Sequence, residues 1–522
     1  MRLPLVLLAV WAATADAQPH RLISADDPAY PLIERMMRRG HLLSLNPTRA
    51  PYTEGELREA LAELPPRLSP LEAAWSRRLW ERAGRLEHPP GADPGLTAAL
   101  DAAIGTRASS TDRLDPVRPI EAGGATVALG DVNLYPRIAV RAAVEAGPFT
   151  SQLGAQLDTY YHDNPDGLDL GNVTAFLRNE ESYVGAVHRY ADLRAGRIAR
   201  RWGDAASPPL FVSADVPAYD ALALRVGTPV LSAESFVGVL DAADELGRMT
   251  GRTGDRSRRP ILRRYLAAHR IDWRPTPTVL ISGLEALVIS GNGAPFPIAA
   301  LAPTAVYSFL NDGTPKNDDV NSLLGGLFWV QARSVTISGQ LLLDDVDLFD
   351  AAEPPSVGVS GSVVAAGLGS RVDAGLSVTA VTARTYNTGR PEQTYVYALR
   401  GLGLPFNDFA HGRVFADVFL DDLVPGLVLR PELHGLIQGE ADFREPILAN
   451  EAPAWFVGDA ERTVRAGVVA SAGGAWWWAR ADLGVNWTRN DGFVRGAEAV
   501  RFVGLGEVGV RLRLVAPLPT TW

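Results

Sequence analysis

The sequence predicts a large antiparallel transmembrane β-barrel of about 18 strands, preceded by a small N-terminal α-helical bundle. Three observations support this prediction. From about residue 126 onward, apolar and polar residues alternate with a period of two. The alternating stretches run for ten to thirteen residues, which a tilted membrane strand requires and an average globular strand does not reach. Beyond the N-terminus, no uninterrupted apolar stretch is long enough for a membrane-spanning helix.

The composition excludes several other classes of protein. The chain has 522 residues and is 47% hydrophobic, which is too apolar for a disordered protein. It has no cysteine, which excludes a disulfide scaffold, a thiolate zinc site and a cysteine nucleophile. A formal net charge of −10 argues against a general nucleic-acid binder. We therefore expect no nucleic-acid partner, no metal and no cofactor.

The first 17 residues are typical of a secretory signal. Arg2 supplies the positive start, residues 3–13 supply a short apolar core, and residues 15–17 supply a small-x-small cleavage pattern. The mature chain is therefore expected to leave the cytoplasm. A β-barrel that does so is expected in the outer membrane of a Gram-negative cell, where it is predicted to be monomeric.

Residues 18–104 are predicted to form a periplasmic segment of about four short helices. The N-terminal helix signals are Asp27-Pro28, a capping box from Thr53 to Glu56, a second box from Ser69 to Glu72, and a weaker Asp93-Pro94. The last helix is expected to continue through Leu96 and Leu100. Residues 105–125 contain glycine, serine, proline and charge and are predicted to be a linker. Residues 126–522 then remain for the barrel.

Residues 476–488 show the alternation most clearly. Trp477 and Trp487 lie ten residues apart on the apolar face, which corresponds to roughly 25 Å at the tilt of a membrane strand. That distance matches the apolar band between the two aromatic girdles of an outer-membrane barrel. Arg480 and Asp482 lie on the opposite face, as a polar lumen requires. At roughly 22 residues per strand and connection, the barrel has room for about 18 strands, or 16.

The same alternation predicts which side chains face the lumen. Residues 334–345 place Ile337 and Leu341 on one face and Ser338 and Gln340 on the other. The charged residues assigned to a lumen network are Arg194, Glu285, Asp344, Arg480 and Asp482. The glycines assigned to the lumen face, where they make room for large side chains, are Gly154, Gly339, Gly484 and Gly509.

Local signatures of catalysis are missing from the sequence. It contains no H-E-x-x-H and no G-x-S-x-G. A G-x-G-x-x-G pattern at residues 504–509 runs directly into a strand, without the helix that receives a pyrophosphate. We therefore predict that the protein is not an enzyme.

Arginine-rich stretches are the candidates for polysaccharide binding. Guanidinium groups beside an aromatic ring suit an acidic polysaccharide, through bidentate carboxylate bonds and stacking on the sugar. The candidate residues are Arg200, Arg201, Trp202, Arg252, Arg256, Arg258 and Arg259. Salt bridges in the lumen, or contacts with the phosphates of lipopolysaccharide, explain the same arginines without a polysaccharide.

Several motifs resemble the capsule assembly Wzi family of outer-membrane proteins. The residues that carry the resemblance are Asp27-Pro28-Ala29-Tyr30, Tyr52-Thr53-Glu54-Gly55-Glu56-Leu57, Arg194-Ala195-Gly196-Arg197, Arg201-Trp202-Gly203, Leu210-Phe211-Val212-Ser213, His269-Arg270, Glu285 and Leu341-Leu342-Leu343-Asp344-Asp345. The chain departs from the family at residues 204–206, where Asp-Ala-Ala stands in place of a Pro-Gly turn. The resemblance implies an 18-stranded barrel with a periplasmic helical bundle. It also implies a non-enzymatic protein that binds capsular polysaccharide and attaches it to the cell surface.

Two other functions fit a barrel of this size. A diffusion porin needs an open, water-filled lumen. A barrel-borne hydrolase needs a nucleophile beside a base, or a close pair of carboxylates. For the polysaccharide-binding protein that the resemblance implies, the expected partners are capsular or other extracellular polysaccharide, together with outer-membrane lipid and lipopolysaccharide.

Overall fold

The computed structural model describes residues 20–84, 96–111, 113–118, 132–164, 176–243, 262–303, 320–344, 356–443 and 455–517. The signal sequence predicted for residues 1–17 lies outside this part of the chain. Eighteen strands close an antiparallel barrel, in which each strand pairs with its neighbour in sequence. The first strand pairs with the last, so that Thr97 lies opposite Pro517. The predicted fold class is therefore confirmed.

The barrel strands follow one another along the wall. In chain order they are β1 Thr97–Ser109, β2 Asn133–Ala146, β3 Phe149–Asp158, β4 in two pieces (Phe176–Asn179 and Tyr183–His188), β5 Ala191–Arg197, β6 Asp220–Gly227, β7 Leu231–Val239, β8 Leu262–Thr276, β9 Val279–Asn292, β10 Val320–Ala332, β11 Val335–Asp344, β12 Ser356–Leu368, β13 Val372–Val381, β14 Phe409–Phe419, β15 Val428–Gln438, β16 Glu461–Gly473, β17 Trp477–Arg489 and β18 Glu498–Pro517. Both pieces of β4 pair with β3 and so count as one interrupted strand.

In residues 20–84 three helices precede the barrel: α1 Ala29–Arg38, α2 Glu54–Ala62 and α3 Pro70–Ala83. Both predicted capping boxes are present. The Thr53 hydroxyl accepts a hydrogen bond from the Glu56 backbone N–H at 3.0 Å, and the Ser69 hydroxyl accepts one from the Glu72 N–H at 3.3 Å. These caps satisfy backbone groups that the first turn of a helix leaves without partners.

The predicted fourth helix is wrong, because Leu96 and Leu100 lead into and belong to strand β1 rather than a helix. The alanine-rich sequence of this stretch fits either structure locally. Pairing with the neighbouring strands favours the strand, since β2 and β18 would otherwise each expose a full edge of backbone groups to lipid. The predicted boundaries of the helical segment (18–104) and the linker (105–125) are also wrong, because β1 includes residues from both. The barrel begins at Thr97 instead of residue 126.

The two faces of the wall differ as the alternation predicts. On β17, Leu483 and Trp487 are half exposed on the outer surface, whereas Asp482 and Asn486 are buried on the lumen face. Exposed valine, leucine and isoleucine side chains continue around the outside of most strands. Such an outer surface is suited to hydrocarbon rather than to water. Among the helices described, none is long and apolar enough to cross a bilayer.

The predicted lumen glycines are mostly placed correctly. Gly484 and Gly509 face the lumen, where a side chain at either position would collide with the Arg465 guanidinium or the Trp478 ring. The assignment of Gly339 is wrong. This glycine faces outward with Ile337 and Leu341, and a Cβ there would lie 2.6 Å from the ring of Phe328. On both faces, then, glycine makes room for a large side chain on a neighbouring strand.

The two ends of the barrel carry different connections. At one end, which we call the short-turn end, neighbouring strands are joined by tight turns such as residues 147–148 and 333–334. At the other, the long-loop end, the connections are longer, including residues 198–219 and 382–408. This asymmetry is typical of outer-membrane barrels.

Candidate functional site

The N-terminal segment, residues 20–84, lies inside the short-turn end of the barrel, and we call it the plug. Its core contains Ile33 and Trp75, which are fully buried, and it continues into Phe419 and Val428 on the lumen face of the wall. The rings of Trp75 and Phe419 meet edge to face, with their centroids 4.9 Å apart. The helical segment that we predicted to lie in the periplasm is therefore enclosed by the barrel wall.

Glu54, at the start of α2, is the centre of the ionic contacts between plug and wall. Its carboxylate accepts hydrogen bonds from Arg21 at 2.8 Å, Arg82 at 2.9 Å and Arg513 of β18 at 2.7 Å. Burial alone would raise its pKa, but these guanidinium groups overcome that effect and lower the pKa of Glu54 to about 2. The carboxylate is thus ionised at neutral pH and joins two parts of the plug to the wall.

Further polar contacts between plug and wall are distributed around the barrel. They include Arg39 with Asp373 of β13 at 2.8 Å, Arg78 with Asp421 at 2.6 Å, Glu56 with Arg225 of β6 at 2.9 Å, Asp26 with Arg137 and Arg141 of β2, and the Leu45 carbonyl with Arg274 of β8 at 3.0 Å. Since these partners lie on strands and on one turn on different sides of the lumen, the plug is held from several directions at once.

Two connections from the long-loop end fold into the lumen from the opposite side. Leu210 and Phe211, in the segment 198–219, are fully buried. Hydroxyl groups from the segment 382–408 donate to their carbonyls: Tyr386 to Leu210 at 2.5 Å and Tyr395 to Phe211 at 2.7 Å. On β10, Gly325 leaves the space that the Phe211 ring occupies, since a Cβ there would lie 2.7 Å from the ring.

The plug and the folded segment 198–219 meet inside the barrel. Arg49–Ala50 of the plug pairs with Arg201–Trp202 as a short antiparallel sheet. The Gly203 N–H donates to the Thr48 carbonyl at 2.8 Å, and Arg270 of β8 donates to the same carbonyl at 2.7 Å. The plug, which enters from the short-turn end, and the segment 198–219, which enters from the long-loop end, are therefore in direct contact inside the lumen.

A cavity of 840 Å³ remains between the plug and the wall strands β1, β2 and β15–β18. Nine arginines and six carboxylates line it, so its lining has a surplus of positive charge. Arg480 projects toward it with a side chain that is 57% exposed, and the Trp478 N–H donates to Glu507 at 3.2 Å. The cavity lies in the half of the barrel nearer the short turns.

The structure places Arg200, Arg201 and Trp202 inside the lumen and not on an exposed loop. Trp202 is fully buried, with its ring 5.5 Å from that of Phe236. The Arg200 guanidinium also stacks on Phe236, at 5.0 Å, while Arg201 donates to Glu34 of α1 at 2.6 Å. In this arrangement the three residues join the segment 198–219 to the plug and the wall. The other four polysaccharide candidates, Arg252, Arg256, Arg258 and Arg259, lie outside the described residues.

Four of the five residues assigned to the lumen network do face the lumen. Arg194 donates to Asp192 at 2.8 Å, and Asp344 accepts from the Tyr386 backbone N–H at 2.5 Å. Asp482 accepts a short hydrogen bond from Arg465, and Arg480 lines the cavity.

The assignment of Glu285 to the lumen is wrong. Glu285 and His269 lie opposite each other on β9 and β8 and face outward, with His269 Nδ1 2.8 Å from a Glu285 carboxylate oxygen. Residues 293–303 cross this part of the outer wall and cover both side chains. The Ala300 carbonyl lies 2.7 Å from His269 Nε2, and the Leu301 carbonyl accepts from Ser235 of β7 at 2.7 Å. This strap separates the hydrogen-bonded His269–Glu285 pair from lipid, so two polar side chains can face outward here against the alternation.

A closed 18-stranded barrel with an apolar outer surface and a filled lumen belongs, by fold, to the outer-membrane class of β-barrels. No protein-family model matches the sequence, and no curated protein matches it significantly.

Among solved structures, the chain is similar to Wzi of Escherichia coli, described as a carbohydrate-binding β-barrel of the outer membrane involved in group 1 capsule assembly. The TM-score is 0.63 and the sequence identity 12%, over 94% of this chain and 99% of Wzi. OccAB4 of Acinetobacter baumannii also aligns, with a TM-score of 0.43 and 10% identity over 82% of this chain and all of that one. The outer-membrane protein opdK of Pseudomonas aeruginosa gives 0.43 and 11%, over 81% and 99%. The latter two scores are too low to support an argument.

Proposed function

We propose that this protein is a non-enzymatic outer-membrane barrel that binds capsular or other extracellular polysaccharide and helps attach it to the cell surface. The observation that carries this proposal is the filled lumen. The plug and the folded segment 198–219 enter the lumen from opposite ends and meet inside the wall, so the lumen that the structure describes is obstructed by protein. A porin needs an open, water-filled path through the lumen.

The likeness to Wzi supports the same proposal. It extends over nearly the whole of both chains, and it agrees with the order of motifs that resemble the Wzi family in the sequence. We infer that the chain is a distant relative of that family. The short-turn end then faces the periplasm, and the long-loop end faces the cell exterior, as in outer-membrane barrels generally.

We place the polysaccharide site at the long-loop end. Arg252, Arg256, Arg258 and Arg259 lie in the sequence between β7, which ends at the long-loop end, and β8, which begins there. Guanidinium groups at this density suit the carboxylates of an acidic polysaccharide. Arg200, Arg201 and Trp202 serve the site indirectly in this proposal, by holding the neighbouring segment 198–219 in the lumen.

Replacing the four loop arginines with glutamine is expected to weaken binding of purified protein to an acidic capsular polysaccharide by about tenfold or more, since each bidentate bond is lost. Biolayer interferometry on the full chain measures this. The matched control is Arg333→Gln/Arg371→Gln, which changes two exposed arginines in turns at the short-turn end. Equal affinity in the four-arginine variant and the parent would contradict the assigned site.

The role at the cell surface has its own test. In an encapsulated strain that carries this gene, deletion is expected to shift polysaccharide from the cell-bound fraction to the medium. Restoring the parent gene should reverse the shift, and restoring the four-arginine variant should not. Unchanged retention after deletion would refute the proposed attachment role, whatever the purified protein binds.

A further inference from the structure

Three charged side chains form one row on the outer wall at the long-loop end. Arg462 of β16 lies opposite Arg489 of β17, and Arg489 lies opposite Glu498 of β18. All three point outward and are exposed; the side chains of Arg489 and Glu498 are 68% and 70% exposed. We call this set the rim row.

Among the residues that the structure describes, one cation of the rim row has no partner. Like charges directly opposite each other on one face of a sheet destabilise the pairing. Glu498 lies 3.5 Å from Arg489, but an ion pair as exposed as this one is weak. The Arg462 side chain has no hydrogen bond or ion pair with any residue that the structure describes. An anion that accepted from both guanidinium groups would remove the repulsion.

The height of the row on the wall indicates where that anion would be. Two residues nearer the middle of the barrel, on the same face, Val464, Trp487 and Val500 form an exposed apolar row. Two strand residues, at membrane tilt, correspond to about 5 Å of height. The guanidinium groups therefore lie just above the apolar band, at the level of lipid headgroups.

We infer that Arg462 and Arg489 bind a phosphate group of a phosphorylated glycolipid in the outer leaflet. A phosphate offers several acceptor oxygens and can receive the planar forks of both arginines. Its acyl chains would lie along the apolar row beneath. This inference concerns the outer wall and does not depend on the proposed polysaccharide site.

The test is a titration of the purified full chain with lipid A that carries two phosphates, followed by native mass spectrometry. Arg462→Gln/Arg489→Gln is expected to weaken binding by about tenfold or more, to the level at which dephosphorylated lipid A binds the parent. Glu498→Gln is expected to strengthen binding, because it removes the carboxylate that competes with the phosphate. The matched control is Arg263→Gln, since Arg263 is exposed on the outer face of β8 at the same end but lies opposite Gly291.

Several results would overturn the inference. One is a loss in the double variant no larger than in Arg263→Gln, and another is weaker binding in Glu498→Gln. Displacement of lipid A by millimolar inorganic phosphate would assign the site to free phosphate and refute the lipid. Heat-modifiable gel mobility checks that each variant is folded, and Glu498→Gln still tests the inference if the double variant does not fold. Polysaccharide affinity should be unchanged in all these variants, so a failure of the polysaccharide proposal stays distinguishable.

Discussion

Glu54→Gln is expected to loosen the plug from the barrel wall by about 3–5 kcal/mol, because it removes the buried carboxylate that three guanidinium groups share. Arg21, Arg82 and Arg513 would then remain close together without that carboxylate. The barrel is expected to stay closed, since its backbone ladder does not include Glu54. Limited proteolysis of residues 20–84 in the folded protein measures the effect, with cleavage about tenfold faster for each 1.4 kcal/mol lost.

The pH dependence of this contribution has a definite sign. The folded-state pKa of Glu54, about 2, lies below its ordinary value of 4.5. Its contribution is therefore fully present above pH 4.5 and is lost as the pH falls from 4.5 toward 2. The difference between parent and Glu54→Gln should shrink over the same window. Glu63→Gln, an exposed substitution at the end of the same helix, should match the parent throughout, and a variant difference independent of pH would contradict the assignment.

Trp202→Ala is expected to destabilise the filled lumen by about 3–5 kcal/mol, because it leaves a cavity where the plug meets the segment 198–219. The ring is fully buried against Phe236, and the backbone around it holds the junction: the Trp202 N–H donates to the Val212 carbonyl at 3.0 Å. Urea unfolding of protein reconstituted in vesicles, followed by tryptophan fluorescence, measures the loss.

Trp202→Phe separates the packing of the ring from its hydrogen bonding. The Trp202 indole N–H has no hydrogen-bond partner among the residues described. Phenylalanine keeps most of the ring and removes this unsatisfied donor, so its cost is expected to stay below about 1.5 kcal/mol. If phenylalanine costs as much as alanine, the indole N–H has a partner and the packing account of this junction fails.

The strands of the barrel wall could be predicted because the alternation of apolar and polar residues is visible within each strand alone. A period of two fixes the face of every residue once one is known, so Asp482 and Trp487 were assigned to the correct faces without any neighbouring strand. The capping boxes at Thr53 and Ser69 were predictable for a similar reason, since each is completed within four residues.

What the sequence could not supply is the arrangement of segments that leave the wall. The alanine-rich strand β1 fits a helix until its partners β2 and β18 are known. The outward position of Glu285 depends on the strap, residues 293–303, which covers it from the other side. The register of the hairpin formed by β8 and β9 adds to the difficulty, because a bulge between Trp273 and Thr276 shifts it by one residue. Counting back from the turn at residues 277–278 would therefore place Ala286, and not Glu285, opposite His269.

The residues proposed for polysaccharide binding illustrate the same limit. Arg201 and Trp202 looked like a surface motif because charge beside an aromatic ring suits a sugar. Their neighbours in space, Glu34 of α1 and Phe236 of β7, are far away in sequence. Only the folded position of the segment 198–219 reveals that they join the plug to the wall.

The proposed function requires a closed lumen, so that the protein holds a ligand at its surface and does not pass solutes. Single-channel recording of the purified full chain in a planar bilayer tests this claim most directly. We expect no steady open current at neutral pH and moderate voltage. A large and steady ohmic current from the parent protein would contradict it and would favour a diffusion porin.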